Sequence, residues 1–184
     1  MTKRLLAAVA LLAAALTAPA PAALSTGSKA PNFTLQATKG GNVFTFVLAD
    51  ALKKGPVVLY FYPAAFTSGC TVEAHEFADA IGEYAALGAT VIGVSHDQLA
   101  TLQKFSVSEC RSKFAVAADT TQSVMKAYDA VLPQHPQYAN RTSYVIAPDG
   151  TIVFTYTSLD PSLHVQKTLD ALKAWKAGRS SPAP

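Results

Sequence analysis

Cys70 closes the stretch Tyr62-Pro63-Ala64-Ala65-Phe66-Thr67-Ser68-Gly69-Cys70, which leaves an apolar run and enters a helix-like pattern. A thiol in the first turn of a helix faces unpaired backbone N–H groups and the positive end of the helix dipole. That setting favours the thiolate, which is the nucleophilic form. Thr67 stands three residues earlier and can bring a hydroxyl to the same pocket. Pro63 lacks an N–H, so it ends the preceding strand and fixes the turn that presents the loop. The plainer alternatives are a small buried hydrophobe at Cys70 and a simple helix N-cap at Thr67. The only other thiol is Cys110. Two cysteines exclude a disulfide-dense scaffold and a four-cysteine zinc site. They leave open a redox pair, a single structural disulfide or a lone reactive thiol.

The elements that must position these residues follow from periodicity. Asn32 to Ala37 and Val43 to Val47 alternate around Lys39-Gly40-Gly41-Asn42, which predicts a hairpin. Leu48 to Lys54 predicts one or two helical turns. The continuous apolar run Val57 to Tyr62 predicts a strand buried on both faces. A helix is expected from Thr67 to Leu87, stopped by Gly88, and another buried strand over Ala89 to Ser95. Asp97 is placed to cap a helix that runs to Cys110. Phe114 to Ala118 predicts a short strand, and Thr121 opens a short helix carrying Val124, Met125 and Tyr128. Pro133 to Asn140 reads as a polar loop. Strands at Ser143–Ile146 and Thr151–Thr157 flank the turn Pro148-Asp149-Gly150. A last helix covers Pro161 to Ala177, up to Gly178. The fold class is α/β: a mixed sheet flanked by helices, with an N-terminal β-hairpin extension.

The chain of 184 residues fits one domain behind a leader. Residues 1–22 carry Lys3 and Arg4, then an apolar run from Leu5 to Leu16, then Ala20-Pro21-Ala22. This is the pattern of a secretory signal peptide, with cleavage expected after Ala22. The run is shorter than the ~20 residues a bilayer span needs. The mature domain is then 23–184, with residues 23–30 as a flexible leader and no stable membrane association. Its compartment is periplasmic or secreted, where disulfides persist. Without Lys3 and Arg4 the charge balance falls from 15 cations against 12 anions to 13 against 12. A near-neutral body excludes non-specific nucleic-acid binding. His75, His96, His135 and His164 share no ligand spacing with the acids, so no metal is implied, and no Gly-rich phosphate loop appears.

The motif Pro63-x-x-x-Thr67-x-x-Cys70 resembles the active site of peroxiredoxins, in the alkyl hydroperoxide reductase/thiol-specific antioxidant family. Its continuation, Cys70-Thr71-Val72-Glu73 and then Phe77, is similar to the bacterioferritin-comigratory, or Q-type, subfamily. Asn140-Arg141-Thr142-Ser143-Tyr144-Val145-Ile146 supplies a second match. The resemblance runs from Gly27 to the last helix and implies a thioredoxin-like fold. It implies that Cys70 is the peroxidatic cysteine and attacks hydrogen peroxide or an organic hydroperoxide. Arg141 would lie against the sulfur and stabilise developing negative charge. Thr67 would hold sulfur and peroxide in line, and Pro63 would exclude water. Glu73 reads as a polar helix residue bonding near the site. Many relatives carry a resolving cysteine where this chain has His75, read here as a helix-surface histidine. Cys110 is therefore the candidate resolving residue, the alternative being an idle thiol and a one-cysteine enzyme. The implied partners are a peroxide and a thioredoxin-like protein or small thiol as reductant, for a monomer or weak dimer with no cofactor.

Two other functions fit the same fold. An exported thiol–disulfide oxidoreductase normally needs Cys-x-x-Cys, but Thr67 stands at the first position and Thr142 where a proline is usual. A non-catalytic binding module would not need Thr67, Cys70 and Arg141 together.

Overall fold

The structure is a computed structural model and describes residues 23–180. The expected signal peptide lies outside the described residues. Strands β1 (Thr34–Lys39) and β2 (Asn42–Val47) form the hairpin, and α1 (Leu48–Leu52) follows. Then come β3 (Val57–Phe61), α2 (Ser68–Ala86), β4 (Thr90–Ser95), α3 (Leu99–Ser108), β5 (Ala115–Ala118) and α4 (Ser123–Ala127). The chain closes with β6 (Thr142–Ile146), β7 (Ile152–Thr157), a 3₁₀ turn (Pro161–Leu163) and α5 (His164–Ser180).

One seven-stranded sheet has the order β2-β1-β5-β4-β3-β6-β7. The three central strands β5, β4 and β3 are parallel, and the pairs on either side are antiparallel. The N-terminal hairpin is therefore part of the sheet, added at the β5 edge. All five residues of β3 are buried, as its unbroken Val-Val-Leu-Tyr-Phe run demands. Val57, Leu59 and Phe61 pack on one face with α1 and α4, while Val58 and Tyr60 face α2, α3 and α5. Two cores thus flank the sheet. Tyr60 stacks on Phe77 of α2 at 4.3 Å. A Cβ at Gly93 of β4 would come within 2.7 Å of the Tyr60 ring, so glycine is required there.

Helix α2 stops as its sequence dictates. Gly88 takes φ +75°, its N–H donates to Ala85 C=O, and Ala89 N–H donates to Tyr84 C=O. That pair of bonds is a Schellman motif, which favours glycine at the left-handed position. Three expectations fail locally. Residues 23–30 are not a flexible leader: Gly27 N–H donates to Ile152 C=O, and Ile152 N–H donates to Ser28 C=O. The Leu24 carbonyl also accepts from the Thr155 hydroxyl. Backbone pairing of this kind leaves no side-chain periodicity to read. Asp97 does not cap α3, which starts at Leu99 behind Gln98. Gly178 does not end α5, which runs to Ser180.

Candidate active site

The site sits where β3 feeds α2. Tyr62 N–H still pairs with Val94 C=O at 3.2 Å. Pro63, half-buried, then turns the chain out of the sheet. Asp97 holds this loop from the neighbouring strand end: its Oδ2 accepts from Ala65 N–H at 2.8 Å and from the Ser95 hydroxyl at 2.8 Å. The missed signal was position, since an acid just beyond a central parallel strand faces the loop of the next strand. Phe66 adopts φ +66° with its ring edge-on to Phe105. A non-glycine residue in this region is strained and marks a loop that its surroundings over-determine.

Thr67 occupies the N-cap position of α2 without a side-chain cap bond, so the simple capping role is not adopted. Its exposed hydroxyl donates instead to Ala64 C=O at 2.9 Å, which turns the oxygen lone pairs outward as acceptors. The helix ladder begins with Thr71 N–H donating to Thr67 C=O at 2.9 Å. The N–H groups of Ser68, Gly69 and Cys70 precede it and point along the helix start. Cys70 is the third residue of α2 and is 1% exposed.

Arg141 is the residue before β6, far away in sequence, and the pairing of Thr142 with Phe61 sets it beside the end of β3, within reach of Cys70. Its Nη2 donates to Cys70 Sγ at 3.5 Å, its Nη1 to Glu73 Oε2, and its Nε to Leu159 C=O at 3.1 Å. Arg141 is 4% exposed, and the plane of its guanidinium is fixed by these three acceptors. Gly69 makes room for it, because a Cβ there would lie 3.1 Å from Nη2. Glu73 is fully buried, and burial pushes its carboxyl up to about 8 against the pull of Arg141. Glu73 Oε1 has no hydrogen-bond partner among the described residues and lies 3.7 Å from His164 Nδ1. His164 Nε2 meets Ser158 C=O at 2.9 Å and so carries the proton, leaving Nδ1 to accept from the Ser143 hydroxyl at 2.8 Å. Burial holds His164 down to about 4. Behind Arg141 there is therefore a buried polar layer of Glu73, His164 and Ser143. Glu73 was legible as an acid one turn from Cys70 in a helix face otherwise filled by Ala74 and Phe77. His164 carried no local signal, because the chain fold alone brings it there.

Cys110 lies just past the end of α3, wholly buried in the same apolar core as Cys70, Tyr60, Tyr62 and Phe105. Both cysteines are free thiols, and burial raises the Cys110 thiol far above its ordinary range. His75 is not a free surface residue: it is half-buried and its Nε2 lies 2.8 Å from Glu109 Oε2. The structure thus brings Arg141 against Cys70, sets Pro63 and Thr67 on the loop that leads into α2, and buries Cys110 in the same core as Cys70. His96 and His135 stay apart from it, each packed near Tyr138.

Comparison with known proteins identifies the family and the fold. The AhpC/TSA family profile matches residues 26–155. Peroxiredoxin Q of the chloroplast of Oryza sativa subsp. japonica is 33% identical over 152 residues, covering 82% of this chain and 68% of that protein. A putative peroxiredoxin of Mycobacterium tuberculosis is 34% identical over 149 residues, covering 78% of this chain and 92% of its own. The crystal structure of peroxidoxin BcpB from Mycobacterium tuberculosis superposes with a TM-score of 0.73 at 31% identity, over 81% of this chain and 96% of that one. The reduced 2-Cys peroxiredoxin of Plasmodium vivax shares the fold, with a TM-score of 0.76 at 21% identity over 85% of this chain and 99% of that one. The chain belongs to the AhpC/TSA family and is a thiol-dependent peroxidase of the peroxiredoxin class, built on the thioredoxin-like fold.

Proposed function

We propose that Cys70 is the peroxidatic cysteine of a two-cysteine cycle that Cys110 completes. The observation that carries this reading is the Arg141 guanidinium, which bonds Cys70 Sγ at 3.5 Å from inside the protein. The Cys70 thiolate attacks the terminal peroxide oxygen. The S–O bond forms, the O–O bond breaks, and the second oxygen leaves as alkoxide or hydroxide and takes up a proton. Arg141 Nη2 and the N–H groups of Ser68, Gly69 and Cys70 are fixed donors for the charge that moves to oxygen. Thr67 Oγ accepts a hydrogen bond from the peroxide O–H and aligns the attack. Pro63 shields the sulfur from water.

The sulfenic acid at Cys70 then meets the Cys110 thiol. The S–S bond forms, the S–O bond breaks, and water leaves with the thiol proton. A dithiol reductant of the thioredoxin type, or a small thiol, restores both thiols. Organic hydroperoxides are substrates alongside hydrogen peroxide. Phe66, Val72, Leu159 and Leu163 are large apolar side chains about half exposed, and they come from the segments that bound the site. Residues 1–22 direct export, and the mature chain works in an oxidising compartment.

Peroxide consumption by the reduced protein, compared with Cys70→Ser, tests the assignment. Consumption is expected to vanish in the variant, and retained turnover rejects Cys70 as nucleophile. Export is tested by the N-terminus of the protein recovered from secreting cells, which is expected at Ala23.

A further inference from the structure

The segment that holds Cys110 is tethered on two sides. On one side, the body of α3 is fixed to the β1–β2 hairpin. Gln103 Nε2 donates to Gly41 C=O at 3.0 Å, and Gly41 N–H donates to Ser106 Oγ at 3.0 Å. Beyond Ser108 the chain makes a tight turn, in which Ser112 still packs on Gly40 of the hairpin. Cys110 N–H donates to Phe105 C=O, Ser112 N–H to Ser106 C=O, and Lys113 N–H to Cys110 C=O. Arg111 and Ser112 adopt φ +50° and +57°, two consecutive non-glycine residues in the left-handed region. Such a turn is strained and persists only when its surroundings hold it.

The other side is held by α2, the helix that carries Cys70 in its first turn. His75 Nε2 bonds Glu109 Oε2 at 2.8 Å, and Arg111 Nη1 donates to Asp79 Oδ1 at 2.5 Å. His75 and Asp79 stand four residues apart and so share one helix face. Glu109 and Arg111 are the immediate neighbours of Cys110, one on each side. The buried thiol is straddled by two tethers, and neither can persist while Cys110 turns out of the core. The His75 tether is also little more than one turn beyond Cys70. Unwinding of α2 through His75 therefore releases Glu109 as well as presenting Cys70.

We propose that the contacts His75–Glu109 and Asp79–Arg111 form a gate that holds the Cys110 turn shut in the reduced chain and sets the rate of disulfide closure. The four residues are positioning residues, since none touches peroxide or sulfur. The gate rests on the two-cysteine cycle proposed above. Its use is selective: Cys110 stays buried and unreactive until Cys70 has been oxidised and α2 loosens. Strain in the Arg111–Ser112 turn favours release once the tethers part, and the hairpin contacts keep α3 in place meanwhile.

Quenched-flow mixing of the reduced chain with excess hydrogen peroxide, read by intact mass, separates Cys70 oxidation from disulfide closure. One pair is exposed and the other half-buried, and each contributes little, so Asp79→Asn or Glu109→Gln is expected to speed closure roughly two- to fivefold, and both together roughly tenfold. Alkylation of Cys110 in the reduced chain should quicken by the same factors. The peroxide-dependent oxidation of Cys70 should not change, which a general loss of structure would not spare. Asp79→Arg combined with Arg111→Asp rebuilds the pair and should return closure to within about twofold of the wild type. Closure at the wild-type rate in the single and double variants overturns the gate. A wild-type chain that forms no Cys70–Cys110 disulfide overturns the two-cysteine cycle, and the gate with it.

Discussion

Replacing Arg141 by glutamine separates what the arginine does for the reaction from what it does for the fold. Arg141→Gln removes the cation 3.5 Å from Cys70 Sγ and the donor that Leu159 C=O uses. Losing one fixed donor to a developing oxyanion costs about 10²–10³ in rate, or about 3–4 kcal/mol. The same change strands Glu73, which is fully buried and takes its charged hydrogen bond from Arg141. Where pH is high enough to ionise Glu73, a buried charge that has lost its partner costs about 3–5 kcal/mol of stability. That cost grows with pH, because Glu73 already holds its proton up to about 8 with Arg141 beside it and holds it higher still alone. The double variant Glu73→Gln/Arg141→Gln removes the stranded charge. It should recover most of the stability measured by urea unfolding at pH 9, and none of the second-order rate constant with peroxide. A rate loss below about threefold in Arg141→Gln, or recovery of rate in the double variant, refutes a role for Arg141 at the reacting atoms.

Folding shifts two buried groups in opposite senses. Glu73 rises from 4.5 to about 8, so folding binds a proton between those values and stability falls as pH rises through them. His164 falls from 6.5 to about 4, so stability falls as pH drops through that window. The two nearly cancel between pH 4.5 and 6.5, which leaves a loss of about 2 kcal/mol from pH 6.5 to 8 in urea titrations. Glu73→Gln should abolish that alkaline fall. Gly69→Ala places a Cβ 3.1 Å from Arg141 Nη2, which displaces the guanidinium by a few tenths of an ångström. The peroxide rate constant should drop several-fold with little change in melting temperature. Asp97→Ala frees the Ala65 N–H and loosens the Pro63–Cys70 loop. It should lower the peroxide rate constant about tenfold, and an unchanged rate would show that the loop holds its shape without Asp97.

Much of this site was legible because local chemistry marks it. The buried run Val57 to Tyr62, the breaker Pro63 and the helix that follows fix where Cys70 lies, whatever packs around it. Arg141 was legible only by resemblance, since a lone arginine before a strand has no signature of its own. What the sequence hid was set by tertiary contact. Asp97 looked like a cap because caps are local, yet its carboxylate reaches the neighbouring loop. His164 and Ser143 meet Glu73 only after α5 returns across the sheet, and His75 finds Glu109 only after α3 packs beside α2. Residues 23–30 looked mobile for want of an apolar pattern, although their backbone groups pair with Ile152.

The most direct test of the two-cysteine peroxidase is the intact mass of the reduced chain after one equivalent of hydrogen peroxide, followed by non-reducing peptide mapping. The expected result is a loss of two hydrogens in the wild type, with the peptides of Cys70 and Cys110 joined within one chain. In Cys110→Ser the expected result is a gain of one oxygen on Cys70. An unmodified Cys70 in both proteins under fast peroxide exposure contradicts the assignment of Cys70 as the nucleophile. Oxidised Cys70 with a free Cys110 in the wild type leaves the peroxidase intact but contradicts resolution by Cys110.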